Sequence, residues 1–305
     1  MNGTALLVVH TGRKGAVSAA RDLAARLGAE GWKVRALAEE ADALRCDVVD
    51  PVPADHAAAD GADLVVAFGG DGTLLRAAEY ARPAQAALLG INLGRVGFLA
   101  EANRADLDVT VERILNQSYG VEDRLTLDLR VVRGGDAVAE GWALNDVSVE
   151  KAARERMLDL VVEVDGRPLS RWAGDGLVCA TPTGSTAYAF SAGGPVMWPS
   201  VQALLLVPIS AHALFARPVV VSPESRIAVE VLPGPGGGLA FCDGRRTIPL
   251  RTHDRVEISR GRLPVRLVRL HAEPFTDRLV GKFHLPVRGW RGRSDDDPID
   301  DPIDD

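Results

Sequence analysis

A change of period near residue 123 constrains this chain more than any other feature. Before it, short apolar runs alternate with helical spacings. "ALLVVHT" (5–11), "WKVRAL" (32–37), "ADLVVAF" (62–68) and "QAALLGINLG" (85–94) read as strands. "AVSAARDLAARLGAEG" (16–31) carries Val17, Ala20, Leu23, Ala24 and Leu27 at helical spacing, and Gly28 and Gly31 can end it. "TLLRAAEYA" (73–81) and "ADLDVTVERILNQ" (105–117) read as further helices. Alternating strands and helices with short loops predict a parallel sheet covered by helices. After the change, segments from "LTLDLRVVRGG" (125–135) to "PVRLVRL" (264–270) alternate at period two. Asp165-Gly166 and Asp243-Gly244 are two-residue hairpin signals within them. The expected fold class is therefore an α/β N-terminal domain (1–122) joined to a mostly antiparallel, all-β C-terminal domain (123–270). Residues 271–293, with Phe283 and Trp290 as anchors, are expected to pack back on another part of the fold.

Length and charge agree with this division. A chain of 305 residues is a soft prior for two domains. The net charge of -7 belongs to the tail "SDDDPIDDPIDD" (294–305). Removing its seven Asp from the 42 acidic residues leaves 35, equal to the 35 Lys and Arg. A proline-punctuated acidic tail is expected to be disordered, and a body without basic excess carries no nucleic-acid footprint. No apolar run reaches about 18 residues, so no membrane partner is indicated. The N-terminus reads as a first strand rather than a signal peptide. Cys46, Cys179 and Cys242 are far apart and odd in number. They fit reduced thiols in the cytoplasm, and none of them has metal-site spacing.

The stretch "AFGGDGTLLRAA" (67–78) closes a strand and opens a helix. In open α/β sheets ligands bind beyond the carboxyl ends of strands, where this turn lies. Gly69, Gly70 and Gly72 are expected to take positive φ and admit a ligand close to the backbone. With Thr73, they form a candidate phosphate loop at a helix start. Asp71 places a carboxylate where a phosphate should sit. That repulsion is offset if Asp71 holds a divalent cation or accepts a proton from an attacking hydroxyl. Arg76 could pair with a phosphate. A tight turn with Asp71 as an N-cap is the bland explanation, and it suits an isolated "GDG" better than this context. Neither the P-loop pattern G-x-x-x-x-G-K-[ST] nor the dinucleotide fingerprint G-x-G-x-x-G is present.

Two further stretches carry polar residues inside β patterns. In "GWALNDVSVEK" (141–151), Asn145 and Asp146 suit paired ribose hydroxyls, or Asp146 could assist a metal; a plain turn or bulge explains them equally well. Neighbouring strand residues face opposite ways, so a shared ligand requires a bend or strand end there. "GDGLVCATPTGSTAYAFSAGGPV" (174–196) holds Asp175 between glycines, then Thr181, Thr183, Ser185, Thr186, Tyr188 and Ser191. Such hydroxyls suit a polar heterocycle or phosphate, and Tyr188 offers a stacking face. Ordinary turn chemistry accounts for part of this run but not for its density. The six histidines show no ligand spacing, and no G-x-S-x-G is present.

Together with "GINLGRVGFLAE" (90–101), these stretches resemble the NAD kinase family, in family order and spacing and over the chain to about residue 291. The details resemble its actinobacterial type. "GGDGT" alone also occurs in diacylglycerol-type lipid kinases, so a lipid kinase and a non-enzymatic nucleotide sensor are the alternative readings. "LLRAA" after the turn, where lipid kinases commonly have a helix beginning "xNE", disfavours the first. Joint retention of Asp71, Asn145 and Asp146 disfavours the second.

The resemblance implies phosphoryl transfer to the 2′-hydroxyl of the adenosine ribose of NAD, making NADP. It implies ATP, or also polyphosphate, as donor, and Mg2+ or Mn2+ as divalent metal. It implies an NAD-binding β domain, a C-terminal segment that returns to the first domain, and a homodimer or homotetramer. By the same resemblance, Asp71 matches the general base, leaving base or metal ligand undecided. Gly72 and Arg76 flank the nucleotide, Asn145 and Asp146 contact ribose, and Arg156 supplies a basic contact. Asp175 and the run from Thr186 through Ala187 and Tyr188 to Ser191 match base and nicotinamide contacts, with Arg245 a weaker carry-over. Many members have Glu in place of Asp146. Ala173 stands where relatives that strictly use ATP tend to have Arg.

Overall fold

The computed structural model describes residues 3–92, 97–100, 102–103, 107–153, 156–234, 237–270 and 274–287. The first part of the chain runs β1 (Thr4–Val9), α1 (Lys14–Ala29), β2 (Lys33–Leu37), α2 (Ala38–Leu44), β3 (Val49–Val52), β4 (Leu64–Phe68), α3 (Asp71–Ala84), β5 (Ala87–Asn92), β6 (Ala102–Asn103), α4 (Leu107–Leu115) and β7 (Gly120–Arg124). The second part runs β8 (Leu127–Arg133), β9 (Asp136–Ala143), β10 (Asp146–Lys151), β11 (Leu158–Val164), β12 (Arg167–Gly174), β13 (Gly176–Ala180) and α5 (Tyr188–Ser191). It continues with β14 (Leu204–Ile209), β15 (Val219–Val221), β16 (Ile227–Val231), β17 (Gly238–Cys242), β18 (Arg246–Leu250) and β19 (Arg255–Arg260). β20 (Val265–Arg269) and α6 (Phe275–Phe283) follow.

The first sheet has the order β3-β2-β1-β4-β5-β20-β7, with β6 beside β5. It is parallel except for the β20–β7 pair. Its strands are apolar on both faces because helices cover both. On one face Leu23 and Leu27 of α1 and Val111 and Ile114 of α4 pack against Leu7 and Val66. On the other, Leu74, Leu75 and Ala78 of α3 pack against Leu6 and Val65. Two six-stranded antiparallel sheets follow, ordered β15-β14-β13-β10-β17-β18 and β12-β11-β16-β19-β8-β9. Their alternating inward residues share one core that includes Leu127, Val147, Leu177 and Trp172. Trp172 is fully buried, and its indole N–H donates to the Phe215 carbonyl at 2.9 Å, as a buried indole requires.

The structure differs from the sequence expectation in three places. β7 spans the boundary expected at 122/123 and lies in the first sheet. β20, expected with the β-rich region, is an interior strand of the first sheet. Period-two alternation identifies a strand but not its sheet, and Leu267 and Val268 bury against opposite faces there. The short helix α2 and strand β3 carry weak local signals and were not expected.

The C-terminal segment does return to the first domain. Arg278 of α6 is buried and donates to the Phe98 and Ala100 carbonyls at 3.2 Å. Phe275 and Phe283 contact Phe98, and they also touch Trp198 and Phe190 of the β domain. Trp290 and the acidic tail lie outside the described residues.

Candidate functional site

β1 and β4 are parallel neighbours, with Val9 paired to Phe68. The turns that follow them therefore leave the same edge of the sheet, and the His10 amide donates to the Phe68 carbonyl at 3.0 Å. One turn leads into α1 and the other into α3. α3 begins at Asp71, two residues earlier than expected, so Gly70 rather than Asp71 is its cap. Gly70 is extended, and none of Gly69, Gly70 and Gly72 has positive φ, which corrects the expectation made for them. Entering the helix immediately at Asp71 removes any need for a left-handed residue.

Glycine at 69 answers a different need. A Cβ at Gly69 would lie 2.3 Å from the Thr73 hydroxyl. At Gly70 and Gly72 a Cβ would meet open space, which is the cleft itself. Asp71 sits in the first turn of α3, where the helix dipole favours an anion. Its carboxylate packs on Gly97, where a Cβ would come within 2.5 Å of Oδ1. That Oδ1 is buried and has no hydrogen-bond partner among the described residues.

Gly70, Gly72, Thr73, Arg76 and Arg245 line a cleft of about 520 Å³ with residues 9–13. Arg76 is not free for a phosphate as expected. Its Nη2 lies 2.5 Å from Oε1 of the buried Glu40 and donates to the Val9 carbonyl at 3.0 Å. Burial pushes the Glu40 carboxyl up, while the Val9 amide and Arg76 pull it down.

The β domain contributes Asn145 and Asp146 at a strand end, as a shared ligand would require. Asp146 opens β10 and Asn145 precedes it. Leu144 just before them packs into the same core as Leu74 and Leu75, so α3 and the 145–146 corner are held by one apolar cluster. Along β10, Asp146, Ser148 and Glu150 share one face by the period-two rule. With Asn145, Ala187, Tyr188 and Gly244 they line a groove of about 390 Å³. The Tyr188 hydroxyl donates to Glu150 at 3.3 Å. Burial, with Glu150 and Asp146 nearby, pushes the Tyr188 phenol up to about 12.

Residues that sequence reasoning undervalued hold this corner in place. Asp243, expected only as a turn residue, is buried and accepts backbone amides from Leu144, Asn145 and Asp146 at 3.1, 2.7 and 3.4 Å. Arg246 adds a charged bond to it at 2.8 Å. Thr181 accepts the Gly184 amide and donates to the Leu144 carbonyl, and its own amide bonds the Asn145 carbonyl. A Cβ at Gly184 would lie 2.0 Å from that carbonyl, so only glycine lets the 183–186 turn close over Asn145. The hydroxyls of Thr181 and Ser185 are thus buried and engaged within the protein rather than presented to a ligand. The signal available was the Asp-Gly pair, which reports turn geometry and not burial.

Two carboxylates this close in a buried site cannot both ionise easily. Burial, then Asp243, then Glu150, push Asp146 up to about 7. Burial raises Asp243 as well, but three amides and Arg246 oppose it. Both carboxyls are raised, and the amides and Arg246 that oppose burial at Asp243 have little counterpart at Asp146.

The remaining expected residues are placed unevenly. Thr186 and Ala187 lie in the turn leading to Tyr188, and Ser191 ends α5. Asp175 lies between β12 and β13 and pairs with Lys151 at 2.5 Å, which lowers its carboxyl. Arg156 lies beyond Lys151, in a narrow crevice with Met157 and Gly234. That is the far end of β10 from Asp146, about 17 Å along the strand. The chain by itself does not bring Arg156 to the 145–146 corner. Arg245 bonds Glu79 of α3 at 3.1 Å, and Arg246 reaches the same Glu79 at 3.5 Å. Hairpin 243–246 thus has Gly244 in the groove beside Asp146 and Arg245 in the cleft beside Gly70, so the two meet there. Arg82 and Arg246 also stack on Trp142 at 4.5 Å each, contacts worth about 0.5–2 kcal/mol apiece. A larger cleft, about 1050 Å³, opens around Trp142, Arg130 and Arg226 and includes neither the glycine turn nor the 145–146 corner.

Fold and cleft define a two-domain class in which an α/β sheet presents a glycine-rich helix start to an antiparallel β domain. Comparison with known proteins specifies it further. A family model described as the ATP-NAD kinase N-terminal domain matches residues 5–119, and one described as the ATP-NAD kinase C-terminal domain matches 144–270. The NAD kinase of Thermobifida fusca is 56% identical over 305 residues, covering 96% of this chain and 93% of the relative. NAD kinase 2 of Streptomyces avermitilis is 56% identical over 291 residues, covering 95% and 97%. Among solved structures, an NAD kinase from Archaeoglobus fulgidus in complex with ATP matches with a TM-score of 0.69 and 26% identity, covering 93% of this chain and 99% of that one. Yeast NADH kinase complexed with NADH shares the fold, with a TM-score of 0.82 at 23% identity over 93% and 87% of the two chains. The chain belongs to the NAD kinase family.

Proposed function

We propose that this protein transfers the terminal phosphoryl group of ATP to the 2′-hydroxyl of the adenosine ribose of NAD, producing NADP. The observation that carries this reading is the meeting of the two clefts at hairpin 243–246. The groove along β10 suits the dinucleotide: Asn145 and Asp146 offer an amide and a carboxylate to ribose hydroxyls, and Tyr188 offers a flat face to a base. The glycine-lined cleft at the start of α3 suits the phosphates of the donor. Asp175, Thr186, Ala187 and Ser191 extend the dinucleotide groove in this reading, and Arg156 needs a second copy of the chain to reach a ligand. A homodimer or homotetramer acting in the cytoplasm accords with that need and with three free cysteines.

Phosphoryl transfer is largely positioning and charge neutralisation. The buried Oδ1 of Asp71, without a hydrogen-bond partner among the described residues, fits a divalent ion, because Mg2+ is held by one or two carboxylates plus substrate phosphates. When bound, such an ion neutralises charge on the transferred group. Asp71 is also a carboxylate able to accept a hydroxyl proton. The Asp146 carboxyl orients the ribose. Asp71→Asn keeps the fold and loses most turnover, measured as NADP formed from NAD, ATP and magnesium. A near wild-type rate in that variant overturns the role of Asp71. The small Ala173 supports polyphosphate as a second donor; its absence is established if polyphosphate freed of ATP gives no NADP.

A further inference from the structure

The cleft at the start of α3 is only half built from the glycine turn. Its other wall is the β1–α1 turn, residues 10–13, which the motifs do not mark. Three arginines face this cleft, and their charge balance is unequal. Arg76 is paired with buried Glu40, and Arg245 is paired with Glu79. Arg13 is exposed, and its side chain has no ion pair or hydrogen bond among the described residues. Among the described residues, Arg13 is thus the cleft arginine without a carboxylate partner, and its turn forms the wall opposite the glycine turn. A volume of about 520 Å³ lies within the range of small-molecule sites. The backbone adds to the same field: α1 and α3 both start here, and neither cap residue, Arg13 or Gly70, covers its helix's free amides with a side chain. Such amides and a helix dipole favour an anion.

We propose that Arg13 binds the phosphate chain of the donor, acting as a determinant of donor affinity on the wall facing the glycine turn. This rests on the kinase reading above and deepens it. A guanidinium can grip phosphate oxygens through two parallel N–H bonds, and Arg13 is the one of these three arginines whose guanidinium has no bond to the protein among the described residues. Arg76 is paired with Glu40, and Arg245 shares Glu79 with Arg246, whereas Arg13 has no carboxylate partner among the described residues to weaken its pull on an anion. The acceptor groove along β10 includes no residue of the β1–α1 turn, so Arg13 should distinguish donor from acceptor.

The test compares wild type with Arg13→Ala and Arg13→Lys. Rates are measured with ATP varied at saturating NAD, then with NAD varied at saturating ATP. Binding of inorganic tripolyphosphate is measured separately by calorimetry. A lost charged hydrogen bond corresponds to roughly tenfold or more in affinity. The expected result is that Arg13→Ala raises KM for ATP and weakens tripolyphosphate binding by that factor. KM for NAD and the melting temperature stay unchanged, and Arg13→Lys recovers part of the loss. Equal tripolyphosphate affinity in wild type and Arg13→Ala overturns the proposal, as does an equal rise in both KM values. If wild type forms no NADP yet loses tripolyphosphate binding on Arg13→Ala, the kinase reading fails and the anion site stands.

Discussion

Two hairpins of the β domain begin with the same dipeptide and do different work. Asp165-Gly166 joins β11 to β12, and Asp243-Gly244 joins β17 to β18. Both pairs are left-handed, with φ of 52° and 74° in the first and 54° and 62° in the second. Asp165 is exposed, and its carboxylate accepts the Ser225 hydroxyl and the Arg226 amide. Asp243 is buried, and its carboxylate holds the backbone of residues 144–146 and the guanidinium of Arg246. Local turn chemistry dictates the shared conformation. Burial and the identity of the distant partners decide that one Asp ties its turn to the start of β16 at the surface while the other braces the candidate site.

The largest test of this contrast is removal of each carboxylate. Asp243→Ala leaves Arg246 and three amides without their acceptor in a buried place. It should cost roughly 3–5 kcal/mol in urea denaturation, and NADP formation should fall with it. Asp165→Ala loses one exposed pair of bonds and should cost about 1 kcal/mol or less. Equal costs would break the comparison.

A smaller effect concerns Asp146, whose carboxyl is pushed from 3.8 up to about 7. Between those values the folded chain binds a proton that the unfolded chain has released. Stability therefore falls as pH rises through this window. Asp146→Asn should flatten that slope and melt above wild type at pH 8, while losing activity. A melting temperature that stays level in wild type from pH 5 to pH 8 would remove the raised Asp146 carboxyl, with its burial and its repulsion by Asp243, from the account.

The smallest effect on stability is expected at Glu79, the tether from α3 to Arg245 and Arg246. These groups are partly exposed, so Glu79→Gln should cost under about 1 kcal/mol. Loosening the hairpin from the helix that carries Asp71 should still lower kcat several-fold with little change in KM for NAD. Unchanged kcat would show that the apolar cluster shared by Leu144, Leu74 and Leu75 is enough to align the two domains.

Much of the fold could be read before any tertiary structure. The two periods separate the α/β part from the β part, and GGDGT falls at a strand-to-helix junction as its glycines imply. Asn145 and Asp146 stand at a strand end, as two side chains with a common ligand must. Less of the site's wiring was legible. Arg76 looked free for phosphate, yet α2 brings a buried Glu40 to it from 36 residues upstream. Thr181 and Ser185 looked like ligand hydroxyls, yet both are consumed by the turn that closes over Asn145. A spacing rule sees neighbours in the chain, and these partners are neighbours only in space.

By itself the sequence determined element types, the two Asp-Gly turns, the glycine-rich helix start and the family resemblance. Each follows from local dihedral preference, side-chain alternation or an ordered run of residues. Tertiary structure alone decided that β20 enters the first sheet, that Asp243 serves residues some 98 positions earlier, and that Arg13, unlike Arg76 and Arg245, has no carboxylate partner among the described residues. These depend on which strand finds which neighbour and on how much water each charge retains, quantities set by the packed chain and not by any stretch of it.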